Sequence, residues 1–405
     1  MKLGSLSIKA GLSLLIDPAV FMGLFMGLMP IFTLYLPLSL AVILPVGAVL
    51  LLVCRVMTGL PRLDLDLPPL LTIGGLLSAS LLSVFWSYDP HLTFDKLPRT
   101  ALAALAGIIF ITAVKGLDDR ATRLSSRAFV IGMTIALSLV LIEKLSGGFL
   151  ARYSIANSSV SYFINQFNRP LSILSILIWP AVVVLARRHW ALAFSIVGIY
   201  AAFLPFFFNI AAIAAIAFGV LVFAVVYFSP KIGSTIVGLT LAVAVLAGPT
   251  IDDYLPPPKK LFESLHLPRS AYHRLLVWEF TTQRIDERPL LGWGFNTSRA
   301  IPRGTEYLDV SERALPLHPH NAALQWRLEL GVLGALFGAA IFFVSTEIAR
   351  RYSAGRVARA GAVATIGATF VIAMISFGAW QTWWLSAIFL IVGSTVLVCH
   401  RRSPD

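Results

Sequence analysis

The side chains best suited to chemistry lie in one stripe that follows residue 320. Asn321, Gln325 and Glu329 recur at intervals of four residues, just after Pro319. Because Pro and Asn favour helix starts and residues four apart share a face, this spacing predicts a helix capped by Asn321 with a polar stripe along it. Polar groups are costly in lipid, so we expect the stripe to face the protein interior or a wet cavity. Glu329 would lie about 13 Å along the helix from residue 320, so its expected role is to orient Gln325 or to support the structure.

His320 directly precedes this helix start and is the candidate general base. The positive end of the helix dipole disfavours imidazolium there, and a neutral imidazole can take a proton from a hydroxyl group. Two other interpretations stay open. His320 could be a second capping residue without chemistry, or it could begin a zinc site with His318. A catalytic zinc ion needs a third protein ligand, which His266 or His273 would have to supply. We favour the base over the cap, and the cap over the metal.

A basic segment ahead of the histidines predicts a second functional element. Residues Ala271–Arg288 are predicted to form a helix, with Ser270 in the N-cap position and Pro289 after its end. Arg274 and Trp278 are four residues apart and therefore share a face. The segment holds too many charges to cross a membrane, so we expect a short amphipathic helix at the membrane interface. Arg274 would either clamp a diphosphate through two parallel hydrogen bonds or extend to lipid headgroups.

These residues must be positioned by a scaffold embedded in a membrane. Of 405 residues, 58% are hydrophobic and only 13% are charged, about half the charged fraction of a soluble domain. The mean hydropathy is +0.83. Apolar windows predict an all-α polytopic membrane protein, with residues 1–405 as a single integral membrane domain of about twelve spans. The predicted spans are 19–35, 37–54, 69–86, 99–114, 128–146, 171–186, 190–208, 210–228, 232–250, 323–346, 360–377 and 382–399.

The charges in the short loops predict the orientation of the spans. Lys and Arg residues concentrate in alternate loops, which the positive-inside tendency makes cytoplasmic, with both termini inside. The segments 87–98, 147–170 and 251–322 then face the periplasm of a bacterial inner membrane, and the last is the one large loop, before the tenth span. That loop is basic, which suits anionic lipid headgroups or a phosphorylated substrate. The net charge of +12 does not indicate nucleic acid, because the cations are divided between two faces of the membrane.

Two runs of motif residues carry a family resemblance. They are Ser270-Ala271-Tyr272-His273-Arg274 with Trp278 and Glu287-Arg288-Pro289-Leu290-Leu291-Gly292-Trp293-Gly294, and His318-Pro319-His320-Asn321 with Leu324-Gln325 and Glu329-Leu330-Gly331. By themselves, Gly292 and Gly294 predict a plain turn around Trp293 or a close approach of the backbone to another segment, and we favour the plain turn. Taken together with the span layout, the two runs resemble the O-antigen ligase and O-antigen polymerase family.

The resemblance implies a glycosyltransferase of the GT-C type that needs no metal or other cofactor. Its donor would be a glycan on undecaprenyl diphosphate, and its acceptor a sugar hydroxyl of lipid A–core. Arg274 matches the family arginine that holds the diphosphate, and His320 matches the proposed base that activates the acceptor. The expected supporting residues are Trp278, His318, Asn321, Gln325 and Glu329.

One departure from the family pattern concerns the phosphates of the donor. Family members often carry a serine–arginine pair at the start of the eighth span, where this chain has Phe208-Asn209-Ile210. We therefore expect Arg169 or Arg299, both predicted to be periplasmic, to supply the missing charge. Arg288 is a further candidate for contact with the diphosphate.

Other activities stay open beside the ligase. The acceptor could be another lipid-linked repeat unit, as for a polymerase, or a serine or threonine, as for a protein O-oligosaccharyltransferase. A flippase for lipid-linked oligosaccharide would need ionisable residues in the middle of several spans, whereas 99–114, 171–186 and 232–250 are almost bare of charge. A ligase that acts by one inverting displacement is the prediction.

Overall fold

A computed structural model describes residues 17–60, 63–149, 160–250, 254–308 and 313–401, with all of their side chains except those of 160–166. Within these residues the chain forms fourteen α-helices. In chain order they are α1 (Pro18–Tyr35), α2 (Leu40–Met57), α3 (Leu67–Leu82), α4 (Pro90–Lys115), α5 (Asp119–Leu145), α6 (Val160–Ala186), α7 (Trp190–Phe203), α8 (Ile210–Phe228), α9 (Ile232–Ala247), α10 (Pro258–Leu265), α11 (Arg269–Glu287), α12 (Ala322–Tyr352), α13 (Gly355–Ile375) and α14 (Thr382–Cys399).

The described residues contain twelve candidate membrane spans, the number that the sequence predicted. All of the helices except α10 and α11 belong to segments long and apolar enough to cross a membrane, and the described β-structure amounts to two isolated bridges. Two spans begin nine residues before their predicted starts, with α4 at Pro90 and α5 at Asp119. Asp89 and Asp118 cap these helices through side-chain hydrogen bonds of 3.2 and 2.7 Å to backbone amides. An apolar window misses such polar first turns.

The sixth span, α6, lies among the other helices and is the most buried of the twelve. It contacts α7, α8, α13 and α14, while α1 packs along α5, α9 along α12 and α4 along α14. Trp179 on α6 is buried and stacks on Phe223 of α8, with 5.9 Å between the ring centroids. The loops at the ends of the bundle are therefore attached to well-packed helices.

The connections divide between two ends of the bundle. At one end Lys115 pairs with Asp66 at 2.9 Å, and Arg187 donates to a carbonyl at the end of α14 at 2.6 Å. At the other, which we call the site end, the Thr93 hydroxyl at the start of α4 donates to the Phe295 carbonyl at 2.7 Å. The periplasmic position of the site end stays a prediction. Both termini and parts of loops 147–170 and 251–322 lie outside the described residues.

The loop before α12 folds onto the bundle through α11. This helix begins at Arg269 with Pro268 in the N-cap position and no side-chain cap, so the prediction of Ser270 as the N-cap is wrong. Val277 and Ile285 on its buried face join apolar side chains of the loop and of α12 in a small core. The apolar face of α11 therefore packs against protein, and this packing places the helix beside the start of α12, the tenth span.

Candidate functional site

The helix that carries the polar stripe is broken at Gly331. Asn321 caps α12 by accepting a hydrogen bond from the Leu324 amide at 3.1 Å, which confirms the predicted helix start. Gly331 has φ 59° and ψ −141°, far from helical values. Such a break deprives the flanking turns of their usual backbone partners, and inside a membrane these groups must be satisfied by other protein groups.

The turn Leu290–Gly294 supplies the missing partners. The amide of Trp293 donates to the Leu328 carbonyl at 2.9 Å, and the amide of Gly294 donates to the Glu329 carbonyl at 2.8 Å. Gly294 has φ 106°, a left-handed conformation that favours glycine. The turn is therefore more than the plain turn that we favoured, because its backbone inserts beside the break and joins the loop to the tenth span.

Glu329 is completely buried under this turn and collects hydrogen bonds from three segments. Its carboxylate accepts from the amide of Asn296 at 2.5 Å, from the amide of Ser298 at 3.3 Å and also from the Ser298 hydroxyl. Gln325 Nε2 donates to it at 3.1 Å and Trp380 Nε1 at 2.6 Å. A buried carboxyl group is tolerated when its oxygens are hydrogen-bonded in this way. One carboxylate thus holds the loop, α12 and the turn before α14 together.

His318 and His320 lie side by side at the site end, with 4.4 Å between their ring centroids. The amide of His320 donates to Nδ1 of His318 at 3.2 Å, so the proton of the His318 ring is on Nε2. That Nε2 lies 3.1 Å from Nε2 of Gln381, so turning over this side-chain amide, which exchanges its nitrogen and oxygen, would let the oxygen accept the ring proton. Burial, with smaller contributions from the nearby His320 and Arg299, lowers the pKa of His318 to about 3. His318 is therefore neutral at physiological pH.

His320 has the tautomer that a base requires. Its Nδ1 lies 2.7 Å from the Ser376 carbonyl, which can only accept, so Nδ1 carries the proton and Nε2 keeps its lone pair. The pKa of His320 is lowered mainly by burial, against the raising effect of the Ser376 hydrogen bond, and the charges of Arg274 and His273 lower it further. A neutral ring agrees with the prediction, although burial is its main cause.

The backbone of His320 is strained. Its φ of 57° lies in the left-handed region, which costs a residue other than glycine about 1–3 kcal/mol. Surrounding contacts must hold it there, and residues held in this way cluster at functional sites. The two histidine hydrogen bonds to Ser376 and within the turn provide such contacts.

Arg274 lies half-buried on α11 beside the histidines. Trp278, one turn further along the helix, donates from Nε1 to the Pro319 carbonyl at 2.8 Å and ties α11 to the histidine turn. Burial lowers the pKa of Arg274, but a guanidinium group stays charged at neutral pH. Among the ion pairs formed by the described residues, none includes Arg274. An uncompensated cation beside a neutral imidazole suits a bound anion.

Arg299 and Arg169 are two further cations near the site. Arg299 is exposed, and it lies close enough to His318 for its charge to act on that ring. Arg169 is exposed at the start of the sixth span, where its guanidinium lies 5.6 Å from the ring centroid of Trp383. Trp383 belongs to the first turn of α14, so both arginines are near the segment that carries Gln381.

Arg288 takes a different position from the other candidate arginines. Its guanidinium stacks on Trp293 with 4.2 Å to the ring centroid. Trp86 donates from Nε1 to the Leu291 carbonyl at 2.9 Å on the same turn, and Arg288 and Trp86 line a shallow cavity there. Arg288 therefore contacts the inserted turn, whereas Arg274 and Arg299 act on the histidines.

Lys96 joins the site although sequence analysis did not single it out. It is half-buried on the second turn of α4 and donates from Nζ to Thr382 Oγ1 at 3.2 Å. Thr382 follows Gln381, the partner of His318. Lys96 falls just before the apolar window that predicted the fourth span, and its charge within segment 87–98 was the available signal.

The arrangement can take a proton from a hydroxyl group and hold negative charge. A neutral imidazole with an unprotonated Nε2 is a general base, and uncompensated cations can stabilise a departing anion. Among the described residues, no three His, Cys, Asp or Glu side chains are placed to hold a metal ion. His273, one of the two possible third ligands in the zinc interpretation, contacts the Arg313 carbonyl at 3.2 Å.

Comparison with known proteins identifies the relatives of this chain. A family model described as O-antigen ligase matches residues 196–338, which include Arg274, the histidine turn and Glu329. A protein of Rickettsia prowazekii (strain Madrid E) named "Putative polysaccharide ligase" is 31% identical over 278 residues, 67% of each chain. A protein of Rickettsia typhi (strain Wilmington) with the same description is 27% identical over 351 residues, 84% of each chain.

Proposed function

The chain belongs to the O-antigen ligase family, a family of glycan-transferring enzymes, and we propose that it transfers a glycan from undecaprenyl diphosphate to a sugar of lipid A–core. It is a multi-pass membrane protein with its polar site at one end of an apolar bundle. In the proposal that end faces the periplasm of a bacterial inner membrane. The polyprenyl tail stays in the lipid while the diphosphate and the sugars enter the site.

The proposed reaction is a single displacement at the anomeric carbon of the donor. His320 Nε2 takes the proton of the acceptor hydroxyl as its oxygen forms the new bond to that carbon. The bond from the anomeric carbon to the diphosphate oxygen breaks, and its electron pair leaves with the diphosphate. Arg274 stabilises the negative charge that grows on this leaving group. Because one displacement inverts the centre, an α-linked donor gives a β-linked product.

The contact between His320 and the Ser376 carbonyl carries this proposal. At 2.7 Å it keeps the proton on Nδ1 and leaves Nε2 as the basic atom. The ring is neutral because burial and the neighbouring charge of Arg274 lower its pKa. A capping residue without chemistry would need neither a defined tautomer nor a nearby uncompensated cation.

The rate of transfer should depend on pH through His320. Its pKa is lowered from the ordinary value of 6.5, so the ring is neutral at and above pH 6.5 and becomes protonated only as the pH falls below that value. Protonation removes the lone pair of the base. We therefore expect the transfer rate to be constant from about pH 8 down to about pH 6.5 and to fall at more acidic pH. A rate profile measured with purified protein in nanodiscs checks this, and an acidic limb centred well above pH 6.5 would contradict it.

The ligase is tested by deletion of the gene in its native strain and analysis of the lipopolysaccharide on a gel. A ligase predicts loss of the whole glycan ladder on lipid A–core, with polymer accumulating on the lipid carrier. A single repeat unit left on the core would indicate a polymerase and would overturn the proposed acceptor. An unchanged ladder would also overturn it and would direct attention to exopolysaccharide or protein acceptors.

A further inference from the structure

Three positive features converge at the start of α14. Lys96 Nζ donates at 3.2 Å to the hydroxyl of Thr382, the first residue of that helix. Arg299 lies close enough to Lys96 for the two charges to repel each other. The amino-terminal end of a helix also carries about half a positive charge, so a lysine at that position is electrostatically unfavourable.

Packing of the loop against α4 places Arg299 beside Lys96. Asn296 Nδ2 donates to the Leu92 carbonyl at 2.9 Å, one helical turn before Lys96. The amide of Asn296 is at the same time held by the buried carboxylate of Glu329 at 2.5 Å. The segment that leads to Arg299 is therefore attached at both sides, and the two cations are held near each other by the fold.

The described residues do not neutralise this pair. Neither Lys96 nor Arg299 takes part in any ion pair formed by the described residues. Asp95 acts on Lys96, but it is exposed and bonded to Arg99 at 3.0 Å. Two cations and a helix amino terminus without a matching carboxylate need a negative ligand, because like charges held together raise the free energy of the folded state.

We propose that Lys96 and Arg299 together hold one phosphate of the lipid diphosphate while Arg274 holds the other. The assignment rests on the proposed function, in which the donor carries a diphosphate. The charge of Arg274 acts on His320 and the charge of Arg299 acts on the neighbouring His318, so both cations lie near the histidine pair.

Lys96 thereby takes the place of the arginine that is missing at the start of the eighth span. Asn209, at that position, is buried, and its side chain is engaged within the protein. Asn209 Nδ2 donates to the Asn168 carbonyl at 3.0 Å, and Asn209 Oδ1 accepts from the Ala212 amide at 3.0 Å. This asparagine has a structural role and leaves no charge for a phosphate.

The test compares the affinities of undecaprenyl diphosphate and undecaprenyl monophosphate for the full-length protein in nanodiscs. The wild type should bind the diphosphate more tightly. Lys96→Gln should weaken diphosphate binding by about tenfold or more, the value of one charge-assisted hydrogen bond, and should change monophosphate binding little. Lys96→Arg, which keeps the charge, should retain most of the preference. Arg299→Gln should weaken diphosphate binding in the same way, and because Arg299 is exposed, its replacement should not disturb the helix bundle.

Arg303→Gln is the matched control, because Arg303 is an exposed cation on the same loop as Arg299, paired with Glu306 at 3.0 Å. It should keep the wild-type preference for the diphosphate. Unchanged preference in both Lys96→Gln and Arg299→Gln, or equal weakening of both lipids, would overturn the assignment. Failure of the wild type to bind the diphosphate at all would instead contradict the proposed function, so the two failures can be told apart.

Discussion

Replacement of His320 by glutamine is expected to lower the rate of glycan attachment by about 10²–10⁴-fold, the usual contribution of a general base. Glutamine is close to histidine in size and can still donate a hydrogen bond to the Ser376 carbonyl, so the turn should keep its shape. It has no basic nitrogen, and the acceptor hydroxyl therefore keeps its proton. Attachment measured with purified protein and a synthetic lipid-linked donor checks the loss.

His273→Gln is the control for this variant. His273 precedes Arg274 in the chain and has a small lowering effect on the pKa of His320. Its ring contacts the Arg313 carbonyl, at a distance of 3.2 Å, and not the proposed base. We expect it to retain most of the activity. If His320→Gln transferred glycan at the wild-type rate while binding donor normally, His320 would be a structural residue of the turn.

The helices could be predicted from the sequence because lipid imposes a simple requirement on each of them. A span needs a long apolar segment, and all twelve predicted segments correspond to helices. The boundaries were less accurate where polar caps precede the apolar part, as at Asp89 and Asp118. Aspartate caps satisfy backbone groups outside the hydrocarbon core, where hydropathy carries no signal.

The site could be predicted only as far as its residues are local in sequence. The cap by Asn321 and the shared face of Gln325 and Glu329 follow from spacing, and the structure confirms both. The other partners of Glu329 come from residues about thirty positions earlier and fifty later, such as Ser298 and Trp380, and no spacing rule links them. Their meeting depends on the break at Gly331, which the sequence shows only as one more glycine.

Lys96 illustrates the same limit for charged residues. A lysine next to an apolar segment ordinarily extends to lipid headgroups, and nothing local distinguishes Lys96 from such a residue. Its difference comes from Thr382, which is brought near by the packing of α14 along α4. The role of a cation such as Lys96 therefore depends on which helix packs beside it, and the local sequence does not show this.

Replacement of Arg274 by glutamine is expected to lower the transfer rate by about 10²–10³-fold, the cost of removing one group that stabilises a developing anion. The same variant should move the acidic limb of the rate profile. Because the charge of Arg274 lowers the pKa of His320, its removal raises that pKa, and activity should be lost at a higher pH than in the wild type. An unmoved limb would show that the charge of Arg274 does not act on the base, so the residual activity is to be measured across pH in single-turnover experiments.

Two further variants separate charge from geometry at this position. Arg274→Lys keeps the positive charge and so should leave the acidic limb near its wild-type position. Lysine lacks the planar guanidinium group that binds a phosphate through two hydrogen bonds, so the rate of this variant should stay well below that of the wild type. Arg269→Gln removes an exposed cation from the start of the same helix and should change neither rate nor limb. A wild-type rate in Arg274→Lys would mean that any cation suffices there, and a wild-type rate in Arg274→Gln would remove Arg274 from the mechanism.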